Sequence, residues 1–199
     1  MKIVVIGANG TIGSAVVAVL EKKYEVIKVG KSSGDVTMDI TDTVSIKSAF
    51  ESIGSVDAVI SAAGDVAFNL FSDMTEEEWQ VGLGSKLMGQ INLTREVLPY
   101  LNPNGSITLT SGILADEPIA MGTSATTVNA GVEHFAMAVS TELPKGIRIN
   151  VVSPSVLEES LPVYGDFFPG FNAVPASKVA QAYLRCVAGV VTGRVFKVL

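Results

Sequence analysis

Residues 2–20 run from an apolar strand through glycines into an apolar helix, with no residue to spare between them. Lys2-Ile3-Val4-Val5-Ile6 supplies the strand, Gly7-Ala8-Asn9-Gly10-Thr11-Ile12-Gly13 the turn, and Ser14 to Leu20 the helical run. Glycine permits the tight turn and lets another backbone or a ligand come close. The helix that opens there presents free N–H groups and the positive end of its dipole to an anion. Glycines at 7, 10 and 13, set between strand and helix, predict a dinucleotide's phosphates at this turn.

The rest of the chain repeats the alternation. Further strands are expected at Glu25–Val29, Asp57–Ser61, Ser106–Thr110, Arg148–Val152 and Arg194–Val198, with a short edge strand at Asp35–Met38. Helices are expected at Ser14–Lys22, Val44–Ser52, Glu76–Leu101, Thr126–Glu142 and Ser177–Ala188. Strands alternating with helices of this length imply an α/β fold of the doubly wound Rossmann type, a parallel sheet of about seven strands covered on both faces. Such sheets bind ligands at the carboxyl ends of their strands. Between Val29 and Asp39 there is no room for a crossover helix, so the usual helix before the edge strand is expected to be missing. In the long helix Leu83, Leu87, Ile91, Thr94 and Leu98 recur at helical spacing, as do Val128, Val132, Phe135, Val139 and Leu143 in the next. Thr75 is expected to cap the long helix, with Glu78 completing a capping box.

At 199 residues one domain spanning 1–199 is expected. Hydrophobic residues form 48% of the chain and charged residues 17%, which excludes a disordered protein. Apolar runs are strand-length, so no membrane span is expected, and the net charge of −6 argues against a nucleic-acid surface. A single cysteine, Cys186, reads as core packing and fits a reducing cytoplasm. The only histidine, His134, reads as a half-buried structural residue with no metal cluster around it.

Several collinear segments together resemble the short-chain dehydrogenase/reductase family. The glycine loop matches, and Asp39-Ile40-Thr41-Asp42 stands where that family has an Asp near the adenine. Ser61-Ala62-Ala63-Gly64 takes the place of the family's Asn-Asn-Ala-Gly. Leu98-Pro99 ends the long helix as there, Gly105–Ser111 is similar to the strand that leads to the catalytic serine, and Gly146–Pro154 to strand six. The resemblance implies a cofactor held by Gly7, Asn9, Gly10, Thr11, Ile12, Gly13, Asp39, Ile40, Ala62, Ala63, Gly64, Pro154 and Leu157. It also implies a small-molecule substrate and a homodimer or homotetramer.

The departures fall at the chemistry. The family's catalytic lysine falls on Asn129 and its catalytic tyrosine on Ala125, while its structural asparagine falls on Lys86. The chain resembles a short subgroup without the Tyr-x-x-x-Lys site. Ser111 is the candidate for the serine, with Gly112 competing for the position, and the family's nicotinamide-anchoring Thr falls on Glu159. Lysine and asparagine have changed places, so Lys86, Asn129 and Ser111 are the candidate catalytic residues, with Lys86 supplying positive charge. Tyr164 is a further candidate acid, reaching in from the segment after strand six.

The end of the second strand reads Gly30-Lys31-Ser32-Ser33, a cation and two hydroxyls where an NAD site carries an acid. Lys31, Ser32 and Ser33 suit a 2′-phosphate, which favours NADP over NAD. Two functions remain open. One is an NADP-dependent oxidoreductase on a small carbonyl or alcohol with an altered proton relay. The other is an inactive NADP-binding sensor or scaffold.

Overall fold

The computed structural model describes residues 1–199 and contains one seven-stranded sheet, every strand pair of which is parallel. The strands are β1 (Lys2–Ile6), β2 (Glu25–Gly30), β3 (Val36–Thr37), β4 (Val56–Ser61), β5 (Leu101–Thr110), β6 (Arg148–Pro154) and β7 (Arg194–Val198). Their order is β3-β2-β1-β4-β5-β6-β7. The chain leaves β1 toward β2, then crosses back to β4 on the other side. The carboxyl ends of β1 and β4 therefore flank a crevice, the usual ligand site of such sheets.

The helices are α1 (Thr11–Leu20), α2 (Thr43–Ile53), α3 (Glu76–Gln80), α4 (Gln90–Val97), α5 (Thr123–Val139), α6 (Leu161–Tyr164) and α7 (Ala176–Ala188). Strand side chains alternate between two cores. Val4, Ile6, Val59, Ile107 and Ile149 pack against α2, α4 and α5. Ile3, Val5, Ala58, Ile60 and Val152 pack against α1 and α7, where Cys186 lies fully buried. Burial on both faces is why the strands read as unbroken apolar runs.

The loop between β2 and β3 holds no helix. Asp35 closes it from both ends: its N–H donates to the Lys28 carbonyl, and its carboxylate accepts the Lys28 N–H at 2.8 Å. The expected edge strand shortens to Val36–Thr37 because Met38 already turns inward.

The single long helix expected over Glu76–Leu101 is four pieces. The capping box of Thr75 and Glu78 starts α3 as expected. Then Val81–Gly89 winds as a π-helix, α4 follows, and Leu98–Tyr100 closes as a 3₁₀ turn before β5 begins at Leu101. Each π turn takes in an extra residue, so the inward face rotates. The residues turned fully to the core are Gln90, Leu93, Thr94 and Val97, rather than the row through Leu83, Leu87 and Ile91. His134 is exposed, not half-buried, with Nδ1 against the Ala130 carbonyl at 2.9 Å. Its position faces away from Val132 and Ala136, which α5 turns to the core.

Candidate active site

Two cavities meet at the carboxyl ends of the central strands. The outer cleft, about 570 Å³, is lined by Gly7, Gly10, Lys31, Asp39, Ile40, Ala62, Ala63 and Gly64 among others. Gly7 sits at φ +77°, and a Cβ there would stand 2.5 Å from the Ala62 carbonyl oxygen. A Cβ on Gly13 would stand 2.0 Å from the Gly7 oxygen. These two glycines let β1, β4 and α1 touch. Gly10 differs: a Cβ there meets nothing closer than 3.4 Å and would project into the cradle at the start of α1. That free space beside the opening N–H groups of a ten-residue helix fits a pyrophosphate.

Lys31 extends across the cleft and pairs with Asp39 at 2.9 Å. That ammonium, with Thr41 N–H and hydroxyl at 2.9 and 2.7 Å, holds the Asp39 carboxyl down to about 2. Asn9 donates to Ser33 at 2.7 Å at the rim, whereas Ser32 is exposed and has no such partner. Asp35, the one acid in this loop, is tied to the Lys28 N–H and does not line the cleft. Thr11 and Ile12 form the first turn of α1.

The inner cavity, about 260 Å³, brings together Lys86, Ser111, Gly112, Ala125, Asn129, Pro154, Leu157 and Tyr164. Its remaining wall is largely apolar, from Val66, Phe68, Ile113, Leu114, Val156 and Phe168. The segment after β6 runs along one side of it: Phe68 packs on Tyr164 and Phe167, with ring centroids 6.0 and 6.2 Å apart, and Phe168 meets Phe171 edge-on.

Lys86 stands where the cavities join. Its stem packs on Gly64, where an added Cβ would lie 3.0 Å from the Lys86 Cδ. The π-helical winding of Val81–Gly89 places Lys86 in the inner cavity and Ser85 in the outer cleft. The Lys86 ammonium belongs to none of the chain's ion pairs or side-chain hydrogen bonds. Burial pulls its pKa down to about 8, against the opposing pull of the nearby Asp65 carboxylate. Asn129, 6% exposed, leaves its Oδ1 without a partner. Lys86 and Asn129 thus bring a cation and an amide to the lining of one largely apolar cavity.

Ser111 and Gly112 divide the serine position. The Ser111 hydroxyl donates to Glu133 at 2.6 Å, while a Cβ on Gly112 would lie 3.2 Å from the Asn129 amide nitrogen. Sequence reasoning did not single out Glu133. It also passed over Gln90, which is fully buried and bonds both the N–H and the carbonyl of Thr110, fixing the end of β5 beside the cavity. Their signal is a polar side chain on an inward helical position, invisible until the helix register is known. Glu159, aligned with the family's nicotinamide anchor, instead caps α7 by accepting the Ala176 N–H. Tyr183 is buried behind β5 with its hydroxyl on Thr110, and burial raises its pKa.

The family model described as enoyl-(acyl carrier protein) reductase matches residues 2–190. The 3-oxoacyl-(acyl-carrier-protein) reductase FabG of Thermotoga maritima is 30% identical over 128 residues, covering 61% of this chain and 52% of that protein. Acetoacetyl-CoA reductase of Cupriavidus necator is 29% identical over 126 residues, covering 60% and 51%. The chain thus spans about half the length of these curated relatives. The crystal structure of lin1944 from Listeria innocua is 50% identical over all of both chains, with a TM-score of 0.98. A small-chain dehydrogenase in complex with NADPH is 26% identical, covering all of this chain and 96% of that one, with a TM-score of 0.88.

Proposed function

The chain belongs to the short-chain dehydrogenase/reductase family, and from that premise we propose that it is an NADP-dependent oxidoreductase of a small, mostly apolar carbonyl compound or alcohol, with an altered proton relay. The observation that carries this reading is the unpaired Lys86 ammonium, which lines a largely apolar cavity with Ser111 and Asn129 while its stem packs on Gly64 of the glycine-lined cleft.

The cradle fits the cofactor. Gly7, Gly10 and the first turn of α1 would hold the pyrophosphate, Asp39 and Ile40 the adenosine side, and Lys31 with Ser33 a 2′-phosphate. Asp35 is turned away from the cleft, and a 2′-phosphate would take the Lys31 ammonium in competition with the Asp39 carboxylate that now pairs with it. When bound, the nicotinamide supplies or accepts the hydride.

The chain's own groups do the rest. Ala125 carries no proton, so the phenol that family members use has no counterpart at that position. A positioned acid contributes roughly 10²–10⁴ in rate, which other groups must supply in part. Lys86 places positive charge where negative charge grows on the substrate oxygen, in a site whose apolar walls strengthen that interaction. Asn129 and Ser111 hold the polar end of the substrate, and the aromatics of 164–171 exclude water. We place the protein in the cytoplasm as a homodimer or homotetramer, the usual assembly of the family it resembles.

The test is a titration with NADPH and NADH paired with a screen of small aldehydes, ketones and alcohols. Tighter NADPH binding with turnover of at least one apolar carbonyl is expected. Binding without turnover would overturn the oxidoreductase and favour a nucleotide sensor, and tighter NADH binding would overturn the cofactor choice.

A further inference from the structure

Glu133 is a buried acid for which the proposed roles so far have no use. It lies on α5 one turn beyond Asn129, is 7% exposed, and belongs to none of the chain's ion pairs. Its one side-chain hydrogen bond is from Ser111 Oγ at 2.6 Å. Holding a carboxyl out of water is costly, and a single hydroxyl is little compensation for packing alone. Ser111, 4% exposed, lines the inner cavity. A hydroxyl has one proton and two lone pairs. With its proton directed to Glu133, Ser111 has acceptor capacity left for a ligand hydroxyl.

The groups around Glu133 complete a path. Lys197 on β7 feels the Glu133 carboxylate and pairs with Asp116 at 2.9 Å, with both side chains well exposed. Glu117 adjoins the same ammonium. Lys86 faces the cavity from the π-helix. The only charged side chain of β6, Arg148, lies at the strand's far end and is engaged by the Cys186 and Val187 carbonyls. Glu133 therefore meets the cavity through Ser111, and the exposed Lys197–Asp116 pair lies near enough for its charge to be felt.

We propose that Ser111 and Glu133 form the proton relay of this site, with Ser111 touching the substrate and Glu133 acting through it. In alcohol oxidation the substrate O–H bond breaks, and its proton passes to Ser111 Oγ. The Ser111 proton passes in turn to Glu133 Oε1. The carbinol C–H bond would break in the same step and the C=O bond form, the hydride going to the oxidised nicotinamide nucleotide that the glycine cleft would hold. Glu133 then releases the proton to solvent. Carbonyl reduction runs the path backward from a protonated Glu133. The hydrogen-bond direction in the structure, serine to carboxylate, is the one that oxidation requires.

This relay rests on the NADP-linked reading, and the test separates the two. Glu133→Gln keeps the shape and an acceptor for Ser111 but cannot take up a proton. It is expected to lower kcat for alcohol oxidation about 10²-fold, at the lower end of the range for positioned acid–base groups, and to leave the NADPH Kd within about twofold. Glu133→Asp, which can take up a proton, should recover most of the rate. A Gln variant within about threefold of wild type overturns the relay. A second readout is the double variant: Ser111→Ala combined with Glu133→Gln should lower kcat no further than Ser111→Ala alone, because Glu133 acts only through Ser111. Additive losses, with NADPH binding unchanged, overturn the relay alone. Absence of binding by either cofactor overturns the relay and the proposed function together.

Discussion

Replacing Lys86 by methionine should make the protein more stable and less competent. Methionine keeps an unbranched, flexible stem against Gly64 and removes the charge. Burial moves the Lys86 pKa from 10.5 to about 8. At about 1.4 kcal/mol for each tenfold change in proton affinity, holding the ammonium there costs about 3 kcal/mol. Lys86 keeps some contact with water, which reduces the figure to about 1–3 kcal/mol. The sign follows from proton counting. Between pH 8 and 10.5 the folded chain has released the Lys86 proton while the unfolded chain still holds it. Wild-type stability therefore gains from this group as pH rises through that window. The methionine variant lacks the gain. Urea unfolding at pH 7 should show the variant ahead by about 1–3 kcal/mol, with the gap closing by pH 10.5. Activity on any substrate found in the screen should drop steeply. A variant less stable at pH 7, or a gap that does not change with pH, would refute the account of Lys86 as a desolvated, unpaired cation.

Four further outcomes follow from the geometry. Gly13→Ala drives a Cβ to 2.0 Å from the Gly7 oxygen and should cost more than about 3 kcal/mol in thermal or urea unfolding. Gly10→Ala, with 3.4 Å of clearance, should unfold close to wild type yet weaken NADPH binding about tenfold or more, read by calorimetry. Lys31→Ala should raise the Asp39 carboxyl from about 2 toward its ordinary 3.8, seen in a carboxyl NMR titration, and should weaken NADPH more than NADH. Gln90→Leu strands the buried N–H and carbonyl of Thr110 and should destabilise by about 2–4 kcal/mol in urea unfolding.

The outline of the fold was legible because it rests on local periodicity. Apolar runs buried on both faces, broken by glycine turns, admit little besides a parallel sheet, and the lack of a helix after Val29 was a matter of counting residues. The long helix was legible as helix and misjudged as continuous, since nothing at single-residue range separates a π turn from an α turn in Val81–Gly89. The tyrosines illustrate the same boundary. Tyr164 and Tyr183 are alike as letters, yet one lines the inner cavity and the other is sealed behind β5.

The sequence by itself determined the glycine turn at the end of β1, because Gly7–Gly13 joins β1 to α1 within one stretch of chain. It also determined which side chains are present, Ala125 and Asn129 among them. Where they come together was decided by the tertiary structure. Lys86, Ser111 and Asn129 come from a π-helix, a strand end and another helix, and only the packing of those elements brings them to one cavity, with Glu133 behind Ser111. The same packing strips water from Lys86 and Glu133, and their chemistry depends on that loss of solvent.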